Sequence, residues 1–282
     1  MRVNTNCADC LMDKQRRISK DANYLSEIQA LIDNRKETDT APYLIYLFNK
    51  VYEKNYGKRE PYKEIKKAYN DLVLSMESEI RSRIEADTDP VSTAFAFARI
   101  GNYIDYGALD TVDSDTLLNL LRDTHLNDSD LPVMRSFRAS CENAKTFLLI
   151  ADNCGEIVLD KLFIEQLLKE YPQLRATVLV RGSEVLNDAT AEDAYYVSMD
   201  DVADIVSSGT SVAGTIYDML TDEARTAIDR ADVILAKGQG NYESLCGQGR
   251  HIYYSLLCKC DLFIERFKVP KLTGMFIEEN RD

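Results

Sequence analysis

From about residue 146 onward the chain alternates short apolar runs with amphipathic stretches, and that alternation leaves few folds open. Residues 146–151 (TFLLIA) form a continuous apolar run, the composition of a strand buried on both faces. Residues 156–170 carry helical periodicity, and 176–180 are the next apolar run. Further strands are predicted at 204–207, 233–236 and 252–257, with helices at 222–230 and around 241–245. Strands alternating with helices predict a mostly parallel sheet covered by helices on both faces.

The first half has a different grammar. Three of the 12 glycines precede Cys141 and nine follow it. Ile65, Ala68, Leu72, Met76, Ile80 and Ile84 fall on one helical face, and so do Ile18, Ala22, Leu25, Ile28 and Ile32. Asp89-Pro90 has the cap and first-turn chemistry of a helix start, leading into Val91, Ala94, Phe95 and Ala98. The expected fold class is therefore α/β: a helical subdomain over 1–140 packed on an α/β domain over 141–282. No internal repeat or low-complexity linker separates the two.

Charge and cysteine content narrow the function. A net charge of −13 argues against a general nucleic-acid binder, which needs a basic face. A phosphorylated small molecule stays open, because one metal ion and a cation or two can invert the local field. No run of about 18 apolar residues is present, and residues 1–10 lack the apolar stretch of a secretory signal. The cytoplasm is the expected compartment, and seven cysteines there do not predict a disulfide framework.

In open α/β sheets, ligands sit beyond the carboxyl ends of the strands. Here those ends read Asp152-Asn153-Cys154-Gly155-Glu156, then Arg181-Gly182-Ser183 with Asn187-Asp188 shortly after. The next two are Ser207-Ser208-Gly209-Thr210 and Lys237-Gly238-Gln239-Gly240-Asn241. A dinucleotide site would want GxGxxG after the first strand; two carboxylates stand there instead and would repel a pyrophosphate. Asp152, Asn153 and Asp188 offer hard oxygen ligands suited to Mg²⁺ or Mn²⁺ with positions left for phosphate. Asp152 and Asn153 equally suit capping of the following helix.

Several blocks carry a family resemblance. DNCGEIVLD (152–160) resembles the DNxGE signature of the damage-control phosphatases, also called the domain-of-unknown-function 89 family. VRGSEVLNDAT (180–190) and AKGQGNYESL (236–245) resemble that family's second and third blocks, and GNYIDYG (101–107) and SSGTSVAGT (207–215) two more. The N-terminal CxxC resembles the short prokaryotic branch. The resemblance implies a helical subdomain against a Rossmann-like α/β/α sandwich and metal-dependent hydrolysis of small phosphorylated metabolites. It implies Asp152, Asn153 and Asp188 as ligands of a divalent ion (Mn²⁺, Mg²⁺, Ni²⁺ or Co²⁺), and Lys237 as the lysine that neutralises the substrate phosphate. Arg181, Asn102, Asp105, Ser208, Gly209, Gly238 and Asn241 are the candidate substrate-binding residues. Glu184 departs from the pattern, since a small residue is expected before NDAT.

The remaining features admit plainer readings. Arg181 also suits pairing with carboxylates, Asn102 and Asp105 suit turns and caps, and Glu156 suits a helix first turn. His125 and His251 read as structural. Cys7, Cys10, Cys258 and Cys260 have metal-ligand chemistry at imperfect zinc spacing, so a second metal site and buried inert thiols both remain open. Cys154 has no basic neighbour in sequence to activate it. The rival functional reading is a nucleotide- or methyl-donor-binding protein built on the same sheet. Oligomeric state is not legible.

Overall fold

The computed structural model describes residues 3–58, 62–103, 119–122 and 124–281. The chain begins with α1 (Thr5–Ile18), α2 (Ala22–Asp33), α3 (Ala41–Tyr56), α4 (Lys63–Ala86), α5 (Pro90–Gly101) and α6 (Leu131–Asn143). The apolar series from Ile18 to Ile32 does not form one helix. Ser19 is extended and Asp21 caps a new start, its carboxylate accepting from Asn23 and Tyr24 N–H. A side chain that captures two orphan N–H groups outcompetes continuous periodicity. Asp89 does the same for α5, accepting from Ser92 N–H at 3.1 Å with proline in the first turn.

The second half is β1 (Thr146–Ile150), α7 (Glu156–Glu170), β2 (Arg175–Val180), α8 (Ala191–Tyr196), β3 (Asp204–Ser207), α9 (Asp222–Arg230), β4 (Val233–Lys237), α10 (Gly238–Leu245), β5 (Ile252–Leu257), α11 (Asp261–Phe267) and β6 (Gly274–Glu279). The sheet order is β3-β2-β1-β4-β5-β6, parallel throughout except for β6, which pairs antiparallel with β5. That antiparallel edge is absent from the sequence reading; only Phe276 of β6 is buried. Strand order reverses between β1 and β4, the switch point at which open sheets leave a crevice.

Period-two alternation sends β1 into both layers. Phe147 and Leu149 join Phe95, Phe137 and Phe163 on one face, while Leu148 and Ile150 join Ile234, Tyr254 and Phe263 on the other. The first cluster takes Val73, Met76, Ile80 and Ile84 of α4 and Val91, Ala94, Phe95, Phe97 and Ala98 of α5, so the sheet and the later N-terminal helices share one core. Helices α1 to α3 keep a smaller cluster of their own around Tyr24, Ile28, Leu44 and Phe48. Among the described residues no helix is long and apolar enough to cross a membrane.

The first turns of α4 differ from the predicted stripe. Ala68 is exposed, and Lys66 and Asn70 are buried in its place. Lys66 Nζ pairs with Asp193 at 2.6 Å, and Asn70 Oδ1 accepts the Gly155 N–H at 2.6 Å. Asn70 thereby anchors the loop after β1 from the helical half.

Candidate active site

Two loops are laced together by backbone bonds at the carboxyl ends of β1 and β2. Ala189 N–H donates to Asp152 O at 2.8 Å, Cys154 N–H to Asn187 O at 2.8 Å, and Arg181 N–H to Ala189 O at 2.9 Å. Asn153 and Asp188 stand opposite each other in an antiparallel bridge. The segment carrying Asp188 therefore runs back along the loop carrying Asp152 and Asn153. This pairing, across 35 residues of chain, brings the three together.

Neighbouring groups orient the side chains. Asp152 Oδ2 accepts from Asn102 Nδ2 and Asn153 Nδ2, both at 2.9 Å. Glu156 Oε2 accepts from the same two amides, at 3.1 and 3.0 Å. With its Nδ2 held by two carboxylates, Asn153 turns Oδ1 to the opposite side of the amide. Arg181 is buried; its Nε donates to Asp188 Oδ2 at 2.7 Å, and its Nη1 to Gly214 O and Asn241 Oδ1 at 3.1 Å each. Nη2 lies 3.5 Å from Asp152 Oδ1 and has no hydrogen-bond partner among the described residues. Asn241 ties the base of the site together, donating to Ala151 O and Lys237 O at 3.1 and 2.7 Å.

Lys237 lies elsewhere than expected. Its Nζ is wholly buried and donates to Ala98 O at 2.9 Å, Glu156 Oε1 at 2.7 Å and Asp160 Oδ1 at 2.5 Å. Three acceptors use all three ammonium protons, so in this geometry none remains for a phosphate. Burial works to lower its pKa, but Asp160 and Glu156 together raise it above the ordinary value, so the ammonium stays charged. Its contact with the site is indirect: it holds Glu156, and Glu156 holds the Asn102 and Asn153 amides. The sequence reading also missed Asp160, one helical turn beyond Glu156.

The charge balance is the central property of the site. Asp152, Asp188, Glu156 and Asp160 face two buried cations, Arg181 and Lys237, an excess of two buried negative charges if all are ionised, with the half-buried Lys259 as a further positive charge acting on Asp152. Burial first, then repulsion from Asp188 and Glu156, holds the Asp152 carboxyl well above the usual carboxylate range, with Arg181 and Lys259 opposing. Such surroundings disfavour the ionised carboxylate and favour a cation beside it. The donor set, two carboxylates and a carboxamide oxygen, fits one hard divalent ion with water completing the shell. Among the described residues no cluster of three or more His, Cys, Asp and Glu could hold an ion, so this fit depends on the carboxamide.

Gly238 admits the Asp152 carboxylate. Its φ is +76°, and a Cβ there would lie 2.0 Å from Asp152 Oδ2. Gly238→Ala is expected to cost about 1–3 kcal/mol from the left-handed backbone alone, with the clash adding to it. Urea denaturation measures this; an unchanged midpoint would mean that the loop yields freely.

Other candidates lie outside this network. Ser208 is buried and knit into its own loop, its hydroxyl donating to Thr210 O at 3.4 Å. Gly209, at φ +75°, packs on the Thr221 methyl. Asp105 lies outside the described residues. His251 pairs with Glu278 at 3.0 Å, between β5 and β6. Burial holds the Cys154 thiol far above its usual range, the reverse of an activated nucleophile.

The terminal cysteines partly converge. Cys7 is pushed up to about 12 by burial, then by Glu243, Cys260 and Cys10, so the two ends of the chain meet. All seven cysteines are free thiols. The absence of any three-ligand cluster among the described residues means that Cys7, Cys10, Cys258 and Cys260 do not form a ready second metal site.

A doubly wound sheet with neighbouring carboxylates at its switch point, backed by N-terminal helices, defines an α/β/α protein with an acidic cluster at its strand ends. The sequence model of the damage-control phosphatase ARMT1-like domain matches residues 2–273, and the chain belongs to that family. It is 27% identical to a damage-control phosphatase of Archaeoglobus fulgidus over 93% of each chain. It is 26% identical to damage-control phosphatase PH1575 of Pyrococcus horikoshii over 96% of each chain. The crystal structure of a DUF89 family protein from Pyrococcus horikoshii superimposes with a TM-score of 0.80 at 25% identity, covering 99% of both chains.

Proposed function

We propose that the chain is a divalent-metal-dependent phosphatase of small phosphorylated metabolites, working in the cytoplasm. Family membership and the names of its relatives support phosphatase chemistry. The observation that supports the metal dependence is the pair of neighbouring carboxylates, Asp152 and Asp188, both against Arg181, in a site with more buried negative than positive charge. Asp152, Asn153 Oδ1 and Asp188 would hold Mn²⁺, Mg²⁺, Ni²⁺ or Co²⁺, which supplies Lewis-acid charge for a phosphoryl oxygen. Arg181, whose Nη2 has no hydrogen-bond partner among the described residues, would receive a second phosphate oxygen. Asn102 and Glu156 keep the ligands oriented, and Lys237 keeps Glu156 in place. A nucleotide- or methyl-donor carrier is the poorer reading, since Asp152 and Glu156 occupy the place of the glycine-rich turn.

The test is hydrolysis of p-nitrophenyl phosphate by chelator-treated protein before and after each cation is restored. Turnover should appear only with a divalent ion. Undiminished hydrolysis in chelator, or none with any cation, would overturn this reading.

A further inference from the structure

A second cluster of reactive side chains lies outside the acidic site, where the two ends of the chain meet. Cys7 and Cys10 sit about one turn apart on α1, and Cys260 caps the start of α11. We infer that these three thiols form a reversible redox switch. A Cys7–Cys260 disulfide, made by exchange with a low-molecular-weight disulfide, pins α1 to the loop after β5 and turns the acidic site off. The loss of activity rests on the proposed phosphatase reading; the bridge depends on the thiols alone.

Helix α10 brings the thiols together. Its Gln239 and Glu243 are four residues apart, so they share one face with their Cβ atoms about 5–6 Å apart. Gln239 Nε2 donates to Cys260 Sγ at 3.5 Å, while Glu243 acts on the Cys7 thiol together with Cys260 and Cys10. Both α1 and α10 pack on α3. The bridge would join two apolar clusters, since Cys7 packs against that of α1 to α3 and Cys260 against the layer of β5 and α11. Cys258 is wholly buried in that layer and takes no part. In a reducing compartment, disulfides are usually transient and sense redox state rather than hold a fold together.

The exposure of the thiols sets the order of events. Cys10 is exposed, whereas Cys7 and Cys260 are half-buried. The Cys10 thiolate attacks one sulfur of RSSR, releasing RS⁻ and leaving a mixed disulfide. Cys7 then attacks the Cys10 sulfur and expels the second RS⁻. Cys260 attacks Cys7 in turn, which leaves the Cys7–Cys260 bond and returns Cys10 as a thiolate. Two protein thiols lose two electrons and two protons, and RSSR becomes two RSH. Glu243, whose carboxyl burial pushes up to about 7, stands beside Cys7 and accepts its proton during the attack.

The bridge reaches the acidic site through Gln239 and Lys259. Lys259 N–H donates to Gln239 Oε1 at 2.6 Å, and the Lys259 charge acts on Asp152. Gln239 directly follows Gly238, against which the Asp152 carboxylate packs. Drawing Cys260 toward α1 takes its sulfur from Gln239 and shifts the Lys259 peptide that Gln239 holds. A displacement of about 1 Å around a reacting centre can cost about a hundredfold in rate.

The test uses the full chain, reduced with a phosphine, loaded with Mn²⁺ and then treated with oxidised glutathione. Bridges are mapped by mass spectrometry of unreduced peptides, beside turnover of p-nitrophenyl phosphate. A Cys7–Cys260 peptide should appear, turnover should fall by about tenfold or more, and the phosphine should reverse both changes. Cys7→Ser should keep basal turnover and lose the response to oxidant. No bridge, a Cys7–Cys10 bridge alone, or a Cys7–Cys260 bridge with unchanged turnover would overturn the switch alone. A reduced wild type that cleaves no ester with any divalent ion would overturn the phosphatase reading, and the switch with it.

Discussion

Asp188→Asn is expected to lower phosphatase turnover by about two to three orders of magnitude, with a parallel loss of cation affinity. The substitution keeps the size and most of the polar contacts of a buried side chain, and it removes one of the two charges that a divalent ion would bind. Arg181 Nε loses its carboxylate partner at 2.7 Å but can still donate to the amide oxygen, so the loop retains its shape. Asp152→Asn should behave alike. The two are linked: removing the Asp188 charge relieves part of the repulsion that holds the Asp152 carboxyl high. Calorimetric titration of Mn²⁺ beside turnover at limiting cation provides the measurement. Wild-type turnover under those conditions, in either variant, would remove that residue from the site.

Lys237→Ala should cost both stability and activity, and the pairing of the two losses is the informative part. Among the described residues the ammonium is the one cation paired with both Glu156 Oε1 and Asp160 Oδ1, each residue wholly buried. Removing one partner from a buried ion pair costs about 3–5 kcal/mol, because the remaining charge stays unpaired. For a chain of this size that corresponds to a fall in Tm of about 10 °C. Burial already pushes the Asp160 carboxyl up to about 7 against the pull of Lys237, so the truncated site would bind a proton in compensation. Turnover should fall as well, since an unanchored Glu156 no longer fixes the Asn102 and Asn153 amides. Lys237→Arg should recover little, because a planar guanidinium does not fit three acceptors clustered around one nitrogen. A lysine acting on the phosphate would behave differently: Lys237→Ala would lose turnover with Tm near wild type. Calorimetric melting beside ester hydrolysis separates the two roles.

What could be read in advance was local. A run such as TFLLIA declares a strand buried on both faces wherever the chain goes next, and five of the six strands were legible for that reason. β6 was not, although β3, also an edge strand with one buried residue, was: β6 pairs antiparallel and stands outside the strand–helix alternation read between 146 and 257. The same logic picked out Asp152, Asn153 and Asp188 as strand-end candidates, because a residue just past a strand lies at the sheet's rim by geometry alone.

Side-chain direction across the interior was not legible. At a strand end, Lys237 reads as a cation aimed at a ligand; Ala98 O and Asp160, from α5 and α7, turn it inward instead. Asn70 and Lys66 reverse the error, being polar residues on a helical face whose partners, Gly155 N–H and Asp193, lie 85 and 127 residues away. The sequence by itself determined the parallel α/β sheet, the helical partner that covers it and the chemical types at its rim. Only the tertiary structure decided which charges pair with one another and which remain for a ligand. Ion pairing in a buried site depends on contacts between segments far apart in the chain, and no local pattern records them.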